Sequence, residues 1–345
     1  MTISSEPDAS NRLDSPTSGL TRVLVTGAGG FIGSHIVEAL TQHGFPVRAL
    51  VRITSKRKFL GPNVEPAFGD VTDSASLHAA LAGVQAVIHC AGLTKARSLE
   101  DYRRVNRDGT ERLLAACAAA PVPPERVICL SSLAAFGPSR EGRPAREDDE
   151  PHPVSAYGRS KLEGQRIAES FMKDLPITIL IPPAVYGPRE RDIYTYFKLA
   201  RLGFLPFLGR RERLLSIVYV KDLARAAIAC LVRQEAAGRS YFVEDGEVHT
   251  WRSVAGAISS AMGARPARLM VPRPMAHALA ACADCFSLVT RRPPLLGREK
   301  MRELLETSWT CSADRIRRDL GFAFEYPLPR GIEETYRWYL QHHWL

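Results

Sequence analysis

Tyr157 and Lys161 stand four residues apart in the stretch Ser155-Ala156-Tyr157-Gly158-Arg159-Ser160-Lys161. On a helix that spacing puts both on one face. A phenol is a poor base at neutral pH, with a reference pKa near ~10, and bringing it to about 7 takes roughly 4 kcal/mol. One ammonium at ~4 Å, under an effective dielectric of ~20, supplies on the order of 4 kcal/mol. The pair therefore suits proton exchange with a hydroxyl or carbonyl oxygen. Ser132 could donate a hydrogen bond to the same oxygen. Lys161 could also hold the ribose hydroxyls of a nicotinamide nucleotide. Taken alone, Y-x-x-x-K is ordinary helix surface, and its weight comes from the residues before it.

The element that must position a nucleotide beside Tyr157 begins at Thr26. Thr26-Gly27-Ala28-Gly29-Gly30-Phe31-Ile32-Gly33 follows the apolar run Val23-Leu24-Val25 and precedes Ile32, Ile36, Val37 and Leu40, one helix face. Strand, glycine turn and helix make a diphosphate cradle, because backbone without Cβ approaches the phosphates and the helix start offers unpaired N–H groups. Gly27, Gly30 and Gly33 fit T-G-x-x-G-x-x-G; a glycine turn without a ligand is the competing reading. Further strands are expected over residues 46–51, 64–68, 86–89 and 126–130, with a long helix over 99–119. Apolar runs without polar alternation predict an α/β fold, a doubly wound, mostly parallel sheet covered by helices on both faces. Ligands of such sheets bind beyond the carboxyl ends of the strands, where the glycine turn, Arg52, Asp70, Ala91-Gly92 and Ser132 all fall.

Two of these positions bear on cofactor type. The end of the second strand reads Leu50-Val51-Arg52-Ile53-Thr54-Ser55-Lys56. It lacks the carboxylate that usually holds an unphosphorylated ribose and has cations and hydroxyls suited to a phosphate monoester. NADP is expected, with NAD the alternative and a solvated strand end the plain reading of Arg52. Asp70 and Val71 suit contact with the adenine edge.

Composition excludes several classes. With 345 residues, the chain is expected to form a large domain and a smaller lobe. The formal net charge is +9, but the basic residues are scattered and match no nucleic-acid module, so the anionic partner expected is a phosphorylated small molecule. Seven cysteines do not make a disulfide scaffold, and Cys282-x-x-Cys285 lacks a second ligand pair, so no metal is expected. Residues 1–20 are polar and predict a disordered tail, not a leader, in a cytoplasmic chain. The apolar segment 275–289 is too short to span a bilayer and contains Asp284; stable membrane insertion is not expected, and peripheral contact is the lesser reading.

As a set, these motifs resemble the extended short-chain dehydrogenase/reductase family, its epimerase/dehydratase/reductase branch, from about residue 21 to the C-terminus. Thr26 to Gly33, including Gly29, Phe31 and Ile32, is similar to the family's cofactor loop. Leu130-Ser131-Ser132-Leu133-Ala134-Ala135-Phe136-Gly137 resembles its S-S-x-x-x-[YF]-G segment, which puts the catalytic hydroxyl at Ser132. Tyr157 and Lys161 match its catalytic pair, and Asn106 falls in a V-N-x-x-G-T segment where the asparagine supports the site. Ala91-Gly92 stands where the family contacts the cofactor. Pro183, Ala184 and Val185 fall where its backbone lies near the nicotinamide amide. The resemblance implies a Rossmann domain over 21–185, with a catalytic helix over 155–174. A substrate lobe over 186–345 is implied, of which about 215–245 returns to the sheet. It also implies a homodimer.

The family performs several reactions. Its nucleotide-sugar epimerases and dehydratases often carry an asparagine after the sixth strand and an arginine in R-x-x-x-H-V-x-D. Here the first place reads Pro182-Pro183-Ala184. The second reads Leu215 to Asp222, with leucine for the arginine and Tyr219 for the histidine. Losing a guanidinium that faces a diphosphate forfeits a charge-assisted pair, although Arg211 or Arg213 could substitute. The Pro-Pro form resembles the dihydroflavonol-reductase and 3β-hydroxysteroid-dehydrogenase side. The expectation is an NADP(H)-dependent reductase/dehydrogenase of a hydrophobic ketone or secondary alcohol. The alternatives are a nucleotide-sugar epimerase/dehydratase and a non-catalytic NAD(P)-binding regulator. Residues 203–208 are expected as an apolar turn lining a pocket or as a buried loop packing on the preceding helix of Ile193, Tyr196, Phe197 and Leu199, and 272–288 as an apolar wall over the site.

Overall fold

The computed structural model describes residues 22–345 apart from 56, 141, 210, 291–293 and 295–296. Short buried runs rich in Val, Ile and Leu form the core strands: β1 (Val23–Thr26), β2 (Val47–Val51), β3 (Glu65–Phe68), β4 (Ala86–His89), β5 (Arg126–Leu130) and β6 (Ile177–Ile181). With Ser240–Phe242 they make a seven-stranded sheet. Its order is Ser240–Phe242, β6, β5, β4, β1, β2, β3, and every pairing is parallel. The order reverses between β1 and β4, which opens a crevice at the carboxyl edge there. This is the expected doubly wound sheet.

Helices cover both faces. α1 (Phe31–Gln42) buries Ile36, Val37 and Leu40, and α2 (Ser74–Leu81) is capped by the Asp73 side chain. The helix expected over 99–119 is two: α3 (Leu99–Asn106) and α4 (Asp108–Ala118), broken at Arg107. Tertiary contact explains the break. A Cβ on Gly109 would lie 2.8 Å from Val71, and a Cβ on Gly164 would lie 2.2 Å from the Asn106 carbonyl. α4 is thus pressed on the loop after β3, and a later helix sits over the junction. That helix is α6 (Ala156–Ser170), which follows the short α5 (Leu133–Phe136). α7 (Asp192–Arg201) leads into the lobe, and α8 (Val220–Val232) returns to cover the sheet, packed with α1 in one cluster.

The rest of the chain builds the lobe around Phe197, Leu205, Tyr219, Ile258 and Tyr339. It contains α9 (Trp251–Met262), α10 (Arg273–Thr290), α11 (Arg298–Leu305), α12 (Asp314–Leu320) and α13 (Leu328–Gln341). Two expectations change here. Phe204–Leu208 is a strand, not a turn, paired in parallel with Ala267–Val271 and burying Leu205 and Phe207. The apolar segment expected as a wall over the site is α10, whose Met275, Leu279 and Phe286 are exposed to solvent. The segment 1–20 lies outside the described residues.

Candidate active site

The glycine turn is shaped by close contact. Gly27 has φ +67°, and a Cβ there would lie 2.7 Å from the Ala91 nitrogen. A Cβ on Gly33 would lie 2.3 Å from the Gly27 carbonyl oxygen. The Gly30 N–H donates to that same carbonyl at 2.9 Å. No side chain caps α1 at Gly30, so the amides of its first turn, Phe31 and Ile32 among them, stay open. A tight cradle with orphan donors fits a diphosphate.

Beneath the cradle runs a buried chain of hydrogen bonds. Thr110 Oγ1 donates to the Asn106 carbonyl at 2.8 Å. It therefore accepts from His89 Nε2 at 3.0 Å, and His89 Nδ1 accepts from Thr26 Oγ1 at 2.7 Å. Thr26 Oγ1 in turn accepts from the Ala91 N–H at 3.2 Å. Burial, helped by the Lys161 charge, pushes the His89 pKa down to about 3, so the ring is neutral. The network holds Ala91-Gly92 against the glycine turn.

At the next two strand ends, Arg52 and Asp70 are neighbours. Arg52 Nε lies 4.0 Å from Asp70 Oδ2, and the Arg52 side chain is 65% exposed. Ser55 folds back, its hydroxyl accepting from the Arg52 N–H at 3.2 Å and its own N–H bonding the Arg52 carbonyl at 2.8 Å. Asp70 is oriented by Thr72, whose N–H and hydroxyl both donate to Oδ1. Val71 is buried beside it. Lys56 lies outside the described residues.

Across the crevice, α6 carries Tyr157 and Lys161. Lys161 Nζ donates to the Leu130 carbonyl at 2.7 Å, at the end of β5. It also stands 4.0 Å from where a Gly92 Cβ would be. Burial lowers its pKa to about 8 against the opposing effect of Cys129 and Cys90. Tyr157 meets Ser132, and its ring lies against Tyr102 with centroids 5.9 Å apart. Ser132 caps α5 by accepting from the Ala134 N–H at 3.2 Å. The Leu133 N–H bonds the Pro182 carbonyl at 2.9 Å, which sets Ser132 beside the segment carrying Pro183, Ala184 and Val185. Asn106 is buried; it bonds the Leu93 N–H and carbonyl at 2.7 and 3.0 Å and donates to Ser160 Oγ at 2.9 Å. It ties the strand-end loop after β4 to the helix of Tyr157.

The electrostatics differ from the sequence expectation. Burial raises the Tyr157 pKa; the Ser132 hydrogen bond lowers it, Glu303 raises it, Lys300 lowers it and Tyr102 raises it. Lys300 of α11 thus acts on the phenol as a cation that the sequence did not point to, while Lys161 Nζ bonds the Leu130 carbonyl.

α11 was not legible as part of the site. Its Glu299 Oε2 accepts from the Ala156 N–H at 2.6 Å, and Glu303 Oε1 accepts from Ser155 Oγ at 2.5 Å. Lys300 Nζ donates to Glu303 Oε2 at 2.9 Å. Two carboxylates on one helix face thereby clamp the start of the helix bearing Tyr157. The stretch Arg298-Glu299-Lys300-Met301-Arg302-Glu303 reads as a solvated charged helix, and nothing in its spacing points to Ser155.

The two residues that replace the arginine and histidine of the R-x-x-x-H-V-x-D segment are structural. Leu215 sits in a small sheet with Trp309, and Tyr219 is fully buried, donating to Glu334 Oε2 at 3.1 Å. Arg211 and Arg213 instead line a separate depression of the lobe with Phe207, Trp251, Arg252 and Arg268.

A model of the NAD dependent epimerase/dehydratase family matches residues 23–243, more than half of the chain and the whole of the glycine-turn and Tyr-Lys region. The chain belongs to this family. It is 34% identical over 329 residues to ceramide reductase of Caulobacter vibrioides, covering 94% of this chain and 96% of that one. It is 26% identical to 4-hydroxy-2-methyl-3-oxo-4-farnesyl-3,4-dihydroquinoline-1-oxide ketoreductase of Stigmatella aurantiaca, over 90% of this chain and 95% of the relative. Among solved structures, a dTDP-glucose 4,6-dehydratase from Streptomyces venezuelae with NAD bound superposes with a TM-score of 0.77. It is 24% identical, and the match covers 94% of this chain and 98% of that one. The fold is therefore that of the extended short-chain dehydrogenases, and the family member is an NAD(P)-dependent enzyme of oxidoreductase type acting on a small molecule. Among the described residues no helix is long and apolar enough to cross a membrane.

Proposed function

We propose that the protein is an NADP(H)-dependent reductase of a hydrophobic ketone, working as a cytoplasmic homodimer and able to run toward alcohol oxidation. The observation that carries the reading is the convergence, at the carboxyl edge of the sheet, of Ser132 beyond the end of β5 with the Tyr157 helix, whose Lys161 bonds the Leu130 carbonyl, above a capless glycine turn. The cofactor, when bound, supplies the hydride. Phe31 and Ile32 would hold its diphosphate through their open N–H groups, with Gly27, Gly29, Gly30 and Gly33 letting the backbone approach it. Arg52 takes a 2′-phosphate, Asp70 and Val71 meet the adenine, and Ala91, Gly92, Pro183, Ala184 and Val185 line its nicotinamide half. Ser132 donates a hydrogen bond to the substrate carbonyl oxygen, and Tyr157 gives that oxygen its proton as the carbon is reduced. Lys161 steadies the cofactor ribose and the phenolate left behind, and Asn106 keeps the strand-end loop and α6 in register.

The apolar substrate class is supported by Leu215, which stands where nucleotide-sugar enzymes of the family often carry the arginine that grips a diphosphate. It is supported also by the two relatives whose names denote ketone or ceramide reduction. A second reading, a nucleotide-sugar epimerase or dehydratase, is favoured by the arginine-lined depression with Arg211, Arg213, Arg252 and Arg268. The test is a panel of long-chain and polycyclic ketones with NADPH, beside UDP- and dTDP-sugars. The expected outcome is stoichiometric NADPH consumption with an apolar ketone, lowered about 10²–10⁴-fold in kcat by Tyr157→Phe while NADPH affinity stays within about threefold. Turnover of a nucleotide sugar without net cofactor consumption would replace this reading with the second. Silence across the whole panel would leave a cofactor-binding regulator.

A further inference from the structure

Between Met275 and Val289, α10 carries only His277, Asp284 and Ser287 as polar residues, and one side of it is buried. Ala276 and Ala280 pack with Val271 and Met301 in a small cluster. Met275, Leu279, Cys282 and Phe286 follow one another at steps of four, three and four residues, a single stripe along the helix, and all are exposed. Leu279 is 59% and Phe286 69% accessible. A continuous exposed apolar stripe belongs in a core or against another apolar phase, so this one lacks its covering. The strand Ala267–Val271, joined to α10 through Pro272, adds exposed Leu269 and Met270.

Charge decides what covers it. Arg265, Arg268 and Arg273 are exposed and have no carboxylate partner among the described residues; Arg268 rests on the Phe207 ring at 5.9 Å. The one carboxylate of α10, Asp284, is turned to the start of α11, accepting from the Arg298 N–H at 3.1 Å. Two copies of this face would bring like charges together in a symmetric pairing. An anionic lipid surface would attract them while the stripe enters the acyl boundary. The chain's net charge of +9 acts in the same sense.

We propose that α10, with the strand leading into it, docks in the interface of an anionic bilayer, the helix lying along the surface. The docked face connects to the reaction centre through one element. α10 runs into α11, whose Glu299 and Glu303 bond the first residues of the Tyr157 helix. An apolar substrate dissolved in the same bilayer would then be taken from the interface.

The test needs no turnover, so it stands apart from the reading of the reaction. The full chain is sedimented with vesicles of phosphatidylcholine, and with vesicles of an equal mixture of phosphatidylcholine and phosphatidylglycerol. Binding to the mixed vesicles, weakened by salt, is expected, falling at least about tenfold in the Leu279→Glu, Phe286→Glu double variant. Both positions are exposed, and circular dichroism with NADPH titration verifies folding. In a separate Phe286→Trp variant, the difference in emission from the wild-type protein should move to the blue when mixed vesicles are added. A wild-type chain that stays in the supernatant, or a glutamate variant that binds as well, would overturn the proposal. So would sedimentation equilibrium in which the glutamate variant turns a dimer into monomers, since the stripe would then be a self-interface.

Discussion

Lys161 holds an ammonium in a place that does not solvate it. Burial brings its pKa to about 8, and its hydrogen bond to the Leu130 carbonyl only partly replaces water. The cost of the charged form is present in full below pH 8 and disappears as the pH rises toward 10.5, the ordinary lysine value. Lys161→Met should therefore stabilise the cofactor-free protein at pH 7, on the order of 2 kcal/mol, and end turnover. Urea unfolding from pH 7 to 10 measures it: the gain should shrink above pH 8. Arg52 works at the other end of the crevice, exposed and only 4.0 Å from Asp70. If it takes a 2′-phosphate by charge-assisted bonds, Arg52→Ala weakens NADPH by about 10- to 100-fold and NADH far less. Equal losses in a binding titration would discard that assignment.

At the scale of elements, the clamp of α11 on α6 has a sign that can be tested. Glu303 raises the Tyr157 pKa and Lys300 lowers it, and the two are paired at 2.9 Å. Glu303→Gln leaves Lys300 unopposed, so the acid limb of alcohol oxidation should move to lower pH. Lys300→Met should move it to higher pH, and Lys300→Arg should restore it. Rate profiles of kcat/KM against pH with any accepted alcohol read both shifts. A clamp that only packs the lobe would move neither.

The same elements mark what the sequence could reveal. The glycine turn and the sheet's strands are local: Gly27 needs its φ of +67°, and the strands are short apolar runs. The doubly wound sheet follows from their alternation with helices. The clamp is not local. Glu303 meets Ser155 across 148 residues of chain, and in sequence α11 has the charge pattern of a solvated helix. The break at Arg107 was hidden for the same reason, since Gly109 and Gly164 act there through Val71 and Asn106. The exposure of α10 was hidden because an apolar run says what leaves water, not which side of it does.

For the whole molecule, the segment leading into the lobe is fastened to the glycine-turn helix by a neutral histidine. His35 of α1 donates from Nε2 to the Pro188 carbonyl at 2.9 Å. Beside it Arg189 bonds Ser34 Oγ at 3.1 Å and Glu38 at 2.5 Å, and lies over the Phe59 ring at 4.6 Å. Burial, then the Arg189 charge, push the His35 pKa from 6.5 down to about 4, against the Pro188 carbonyl and Glu38; Lys221 adds to the lowering. Between those values the unfolded chain binds a proton that the folded chain does not. Stability from this site is therefore complete above pH 6.5 and is lost as the pH falls toward 4, by about 3 kcal/mol at most. His35→Gln can keep the N–H to Pro188 without a titrating ring. It should differ from the native chain by less than about 1 kcal/mol at pH 7 and gain on it steadily below pH 6.5. Asp222 and Glu244, whose pKa values burial raises, titrate in both proteins and cancel in the difference. A difference that does not change between pH 7 and pH 4 would mean that His35 accepts its proton in the folded chain, and that the junction between sheet and lobe is open enough there to solvate it.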